Sequence, residues 1–199
     1  MNIFSTFKRL LVVLAMALAT TTVMGQKVTY VCEIVETGVK YQTLNAALEV
    51  AYGKTIRLLD NISQDLEIYD TRTAFDTNGY VLNVGECIFA DETQIKLQGA
   101  GELNVTPNGL YVRNNSQATV SNVSGRIGVN AEKQSEVIVT GNVRTTLTAV
   151  YATGASVVSI DGNVATTGSG SIGAHAEDGS TITIDGTIEV PKGATYIRV

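Results

Sequence analysis

The sequence predicts an all-β chain wound as a parallel β-helix, a solenoid of about six to seven coils with a short helix closing its start. Three observations predict it. Short apolar segments recur at one spacing, each alternates apolar and polar residues, and Gly, Asn, Asp and Ser punctuate them. Alternation by two marks strands with one buried face. Recurrence at a fixed period marks units that bury that face only by stacking on their neighbours.

The recurring segment is clearest at residues 137–143 (VIVTGNV), 158–164 (VSIDGNV) and 182–188 (ITIDGTI). Each is apolar at its first, third and seventh places and has Gly at the fifth. A shortened copy lies at 118–123. An early copy at 56–62 carries Asp60 in place of the Gly. Their closing apolar residues, with those of less certain copies, are Ile62, Val84, Val105, Val123, Val143, Val164 and Ile188. The steps are 22, 21, 18, 20, 21 and 24 residues, a mean of 21. A second strand precedes most copies, at residues 110–113, 127–131, 149–152 and 172–176. An antiparallel sandwich also has frequent short strands, but it does not predict equivalent positions at a shared period. Stacking places Ala131, Ala152 and Ala176 in one inward column and Val139, Ile160 and Ile184 in another. Asn142 and Asn163 fall together at a turn, where an amide ladder satisfies turn carbonyls.

Residues 1–25 are expected to be a signal peptide. Lys8 and Arg9 precede the apolar run from Leu10 to Leu18, with cleavage points after Ala19 or Gly25. The run is too short for a comfortable bilayer span, which takes about 20 apolar residues. The expectation is a secreted chain, at a cell surface or in a periplasm, with no membrane insertion after cleavage. Residues 26–55 are an N-terminal cap. It holds a strand at 30–35 and a helix at 43–52, with Thr43 as N-cap, Leu44, Ala47, Leu48 and Ala51 as apolar face, and Gly53 as stop. Residues 56–199 are the β-helix repeats. Nothing comparable to the cap follows the last repeat. That predicts cover by a partner, a folded-back tail, further repeats, or self-association through the open coil.

Two motifs carry a family resemblance. Residues 41–62 (YQTLNAALEVAYGKTIRLLDNI) join a Leu-x-x-Ala-Leu helix to a Gly-x-Thr-Ile-x-Leu-Leu strand. Residues 75–84 (FDTNGYVLNV) form a turn and strand of the type Asp-x-Asn-Gly-Tyr-x-Leu. Both resemble the right-handed β-helix surface proteins of bacteria in the pectin-lyase-like superfamily, and the likeness runs through the repeats to Val199. The resemblance implies a right-handed coil and bacterial export. It does not imply one activity, because the superfamily spans lyases, hydrolases, adhesins and structural passengers.

Composition and missing motifs narrow the function. The formal net charge is -5, and no basic cluster is present, so nucleic acid is not an expected partner. The superfamily's Asn-x-Asp, Gly-His-Gly and Arg-x-Lys motifs and its acidic calcium cluster are absent, so no enzyme is expected. His175, the single His, has neither triad nor metal-ligand partners in the sequence. No Cys/His cluster suggests zinc. Asp161 and Asp185 stack outward in a column with Thr140 and Ser121. Two carboxylates at about 5 Å attract Ca²⁺ weakly, and each is followed by Gly, so a solvated turn is the better reading. Cys32 and Cys87 could form a disulfide in an oxidising compartment, worth about 3–4 kcal/mol. The alternative is two buried thiols. The Asn-x-Ser/Thr sites at Asn61, Asn104, Asn114 and Asn122 fit chance in so Asn-, Ser- and Thr-rich a chain.

The most informative column is Tyr111, Asn130, Tyr151 and His175, outward on successive coils, with Arg113, Glu132, Thr153 and Glu177 beside it. Rings supply flat apolar area and polar neighbours supply orientation, which is how protein surfaces hold sugars. The expectation is a non-catalytic β-helix protein acting in adhesion or binding a polysaccharide or a cell-surface glycan. Alternatives are a lyase or hydrolase with an unfamiliar site near Asp161, Asp185 and His175, and a structural spacer or fragment of a longer surface protein.

Overall fold

A computed structural model describes residues 28–199. The signal segment expected at 1–25, with both cleavage points, lies outside the described residues. A hairpin of β1 (Cys32–Ile34) and β2 (Val39–Tyr41) leads into helix α1 (Leu44–Leu48). Coils then follow, about seven in number. The first is β3 (Lys54–Leu58), β4 (Ile62–Ser63) and β5 (Leu66–Tyr69); the second is β6 (Arg72–Asp76) and β7 (Val81–Ala90). The third is β8 (Gln94–Gln98) and β9 (Glu102–Val112); the fourth is β10 (Gln117–Val120), β11 (Asn122–Gly125) and β12 (Val129–Glu132). The fifth is β13 (Glu136–Val139), β14 (Val143–Thr145) and β15 (Thr148–Thr153). The sixth is β16 (Val157–Ile160), β17 (Val164–Thr166) and β18 (Ile172–Ala176), and the last is β19 (Thr181–Ile184), β20 (Ile188–Glu189) and β21 (Thr195–Arg198).

Stacked coils make two walls. A nine-stranded sheet runs β19-β16-β13-β10-β8-β6-β3-β1-β2, and a twelve-stranded sheet holds the remaining strands. Among the described residues coil-to-coil pairing is parallel, and the antiparallel pairs are those of β1 with β2 and β3. In the first wall Thr73, Ile95, Ala118, Val137, Val158 and Ile182 lie in register. Inward residues of every coil form one continuous core. The expected columns are present: Ala131–Ala152–Ala176 and Val139–Ile160–Ile184 are aligned.

The early copy is two residues out of the expected register. Ile62 pairs with Leu82, not with Val84, which instead aligns with Val105 and Val123. A slip of two leaves every inward side chain inward, so the apolar pattern is blind to it.

The cap also differs in detail. Thr43 is the N-cap, its Oγ1 accepting the Ala46 N–H at 3.3 Å. Leu44, Ala47 and Ala51 are buried as expected. The helix ends at Leu48, however, before Gly53. Val50 and Ala51 donate to the carbonyls of Ala47 and Leu48, three residues back, which tightens the last turn. The segment expected as one strand at 30–35 is the shorter β1, and its hairpin partner β2 was not expected. Of the two readings of the cysteines, the structure has the thiols: Cys32 and Cys87 are free and buried. They belong to different walls, Cys32 opposite Leu58 and Cys87 between Leu66 and Leu110. Burial pushes the Cys32 thiol up to about 11 and Cys87 upward as well.

Two side-chain ladders tie the coils together. In the first, Asn122, Asn142 and Asn163 each accept, at 2.9 Å, the backbone N–H of the next coil, from Asn142, Asn163 and Thr187 in turn. It continues backward through side-chain bonds from Asn122 to Asn104 and from Asn104 to Asn83. The second ladder is buried up to its last member, Ser180, which is half-buried. The N–H groups of Thr93, Ser116, Ser135 and Ser156 donate to Oγ of Ser116, Ser135, Ser156 and Ser180, at 3.0–3.3 Å. Removing one hydroxyl strands a buried N–H. Ser135→Ala is therefore expected to cost about 1–3 kcal/mol, read as a lower urea midpoint at unchanged slope. A midpoint equal to the parent's would show the ladder to be dispensable.

At the far end, Tyr196, Ile197 and Val199 are exposed. A depression of about 430 Å³, lined by Ala174, Ala176, Ile182, Ile184, Ile188 and Ile197, opens beneath them. Among the described residues nothing covers it.

Candidate functional site

The column expected from the repeat is formed by β9, β12, β15 and β18. Their parallel registers align Tyr111 with Asn130, Asn130 with Tyr151, and Tyr151 with His175. Neighbouring strands lie about 4.8 Å apart, so four side chains span about 14 Å along the solenoid axis. All four are outward and half-buried. The register extends the column at both ends, to Ile88 and Glu67 before Tyr111 and to Arg198 after His175. Glu67, Ile88 and Arg198 were not singled out from sequence, because the first two sit outside the clear repeats.

Two residues further along each strand lies the flanking column, on the same face by strand alternation. Here the structure joins the two columns chemically. The Tyr151 hydroxyl donates to the Glu177 carboxylate. His175 Nε2 lies 3.4 Å from the other oxygen of Glu177. The rings of Tyr151 and His175 stand 5.2 Å apart, tilted by 56°. Asn130 donates to Glu132 at 3.0 Å. Thr153 donates to Asp178 at 2.9 Å, which adds a carboxylate that the sequence reading did not include. Accepting the phenolic hydrogen bond on Glu177 favours neutral Tyr151 and holds its pKa above the ordinary range.

Glu177 thus contacts both Tyr151 and His175 and links two adjacent coils of the column. Among the described residues two shielded polar atoms on it lack partners: Asn130 Oδ1 and Arg113 Nε. Shielded polar atoms are normally satisfied.

Asp161 and Asp185 do stack, each one residue beyond the aligned pair Ile160 and Ile184. Both are exposed, and each donates its N–H to the coil before, to Val139 and Ile160. Ser121 does not share their outward position: it is buried, its Oγ accepting the Leu103 N–H. Among the described residues no group of three or more His, Cys, Asp or Glu is arranged to hold a metal ion. The glycines after these aspartates have a structural reason. A Cβ on Gly162 or Gly186 would run into the backbone carbonyl of the preceding coil's glycine.

Among the described residues no helix is long and apolar enough to cross a membrane. Comparison with family models, with curated proteins and with solved structures finds no match to this chain.

Proposed function

We propose that this chain is an exported, non-catalytic β-helix protein of a bacterial cell surface or envelope that binds glycans through the Tyr111–Asn130–Tyr151–His175 face. The observation that carries the reading is the alignment of these four side chains on consecutive coils, with Glu177 bracing two of the rings. A flat, ring-bearing strip about 14 Å long suits an extended saccharide chain rather than a small enclosed ligand. The chemistry favours binding over turnover: the carboxylates on the face already accept hydrogen bonds from Tyr151, Asn130 and Thr153. A general acid needs burial to raise its pKa and a position across a cleft from its partner.

The test is a glycan array probed with the protein and with a Tyr111→Ala/Tyr151→Ala variant. Saccharides retained by the parent and lost by the variant are expected. Removing two rings that stack on sugars lowers affinity by about tenfold or more. Retention unchanged by the double substitution would overturn the site. An array on which nothing binds would overturn the reading and favour a structural spacer.

A further inference from the structure

The first coil carries a strand with an open edge. Among the described residues β5 pairs with β7 and with no other strand, whereas β3 of the same coil is covered by β1. Helix α1 stands across from β5, and between them runs a groove of about 510 Å³. Leu48 and Ile68 give it apolar walls, and Tyr69 beside them is 51% exposed. Among the described residues four carboxylates line it, those of Glu49, Asp65, Glu67 and Glu86, and no Lys or Arg does. Asp65 is engaged locally, accepting the Glu86 N–H at 3.1 Å. Among the described residues none of the four is in an ion pair.

An unpaired strand edge is a template for another strand, and proteins that leave one bare either blunt it or use it. We propose that β5 accepts an extended basic segment of a partner protein, which adds as a further strand with Lys or Arg side chains set against Glu49, Glu67 and Glu86. The charge chooses the occupant. A neutral strand would cover these carboxylates without pairing them, which costs free energy. A second copy meeting edge to edge would set two acidic rims against each other, a like-charge contact that opposes pairing. A basic strand makes main-chain bonds along β5, places alternate side chains over the acidic rim, and rests its apolar residues on Leu48 and Ile68. This site is independent of the glycan-binding reading, although Glu67 belongs to the same register column as Tyr111, two coils before it.

The test uses three short fluorescent peptides: alternating Lys and Val, the same with Glu for Lys, and the Lys peptide with N-methylated backbone. Fluorescence anisotropy is expected to show binding of the first alone, because only it has both the charge and the main-chain donors. Glu67 is exposed, so Glu67→Lys should fold normally and weaken that binding by about tenfold or more. Asp185→Lys, in the last coil, should leave it unchanged. Equal binding of the N-methylated peptide would reduce the effect to general surface charge and overturn strand addition. Failure of the Lys peptide to bind, or Glu67→Lys binding as tightly as the parent, would overturn the proposal outright.

Discussion

Ile160→Lys is expected to unfold the chain or to cost about 4 kcal/mol or more, while Ser159→Lys one residue away changes stability by less than about 0.5 kcal/mol. Ile160 is fully buried and stacked between Val139 and Ile184. An ammonium there has no carboxylate to pair with and no water to solvate it, since its neighbours above and below are aliphatic. Ser159 is aligned with Ile138 and Thr183 on the outer face, where a long cation keeps its head in solvent. The same substitution at adjacent positions thus separates the inward from the outward register. Urea unfolding of both variants is the check. Equal destabilisation would contradict the assignment of faces.

Phe89→Ala is expected to cost about 3–5 kcal/mol, through lost transfer free energy and the cavity left behind. Phe89 is fully buried in β7, with Ile68 of the coil before and Val112 of the coil after in register with it. Neither neighbour can move into the space without breaking its own ladder, so little collapse is available to offset the loss. A solenoid coil touches only its neighbours, so the loss should also be local. Hydrogen exchange should quicken most in β5, β7 and β9 and least in β16 and β19. A loss below about 1 kcal/mol would mean that the second coil is not packed as described.

The solenoid was legible because like residues stack on like: the spacing of Val, Gly and Asn is the coil itself written linearly. Ala131, Ala152 and Ala176 could be placed together without a structure for that reason. Legibility fails where the pattern is indifferent. The two-residue offset of Ile62 preserves its inward face, so only pairing with Leu82 reveals it. The buried serine ladder had a signal that went unread, since Ser116, Ser135, Ser156 and Ser180 share the period of the strands they precede. Serine at a turn is so common that its burial, not its spacing, marks it here. The state of Cys32 and Cys87, free and buried, was not legible because spacing does not place two Cβ atoms.

Much the same division holds at the candidate face. Membership of the column followed from the repeat, and all four side chains stand where the period places them. The bracing of Tyr151 and His175 by Glu177 did not follow, because it depends on where three side chains point from two adjacent coils. The open edge of β5 was not legible either. It exists because the β1–β2 hairpin covers one wall of the first coil and not the other, and β2 itself was unforeseen.

The most direct measurement is the affinity of the tightest array saccharide for three proteins: the parent, Tyr151→Ala and Tyr196→Ala. Tyr151 is in the column, whereas Tyr196 is an exposed ring outside it. Glycan recognition by the column predicts a loss of about tenfold or more for Tyr151→Ala and none for Tyr196→Ala. Equal affinities for all three proteins, or a loss confined to Tyr196→Ala, would contradict it.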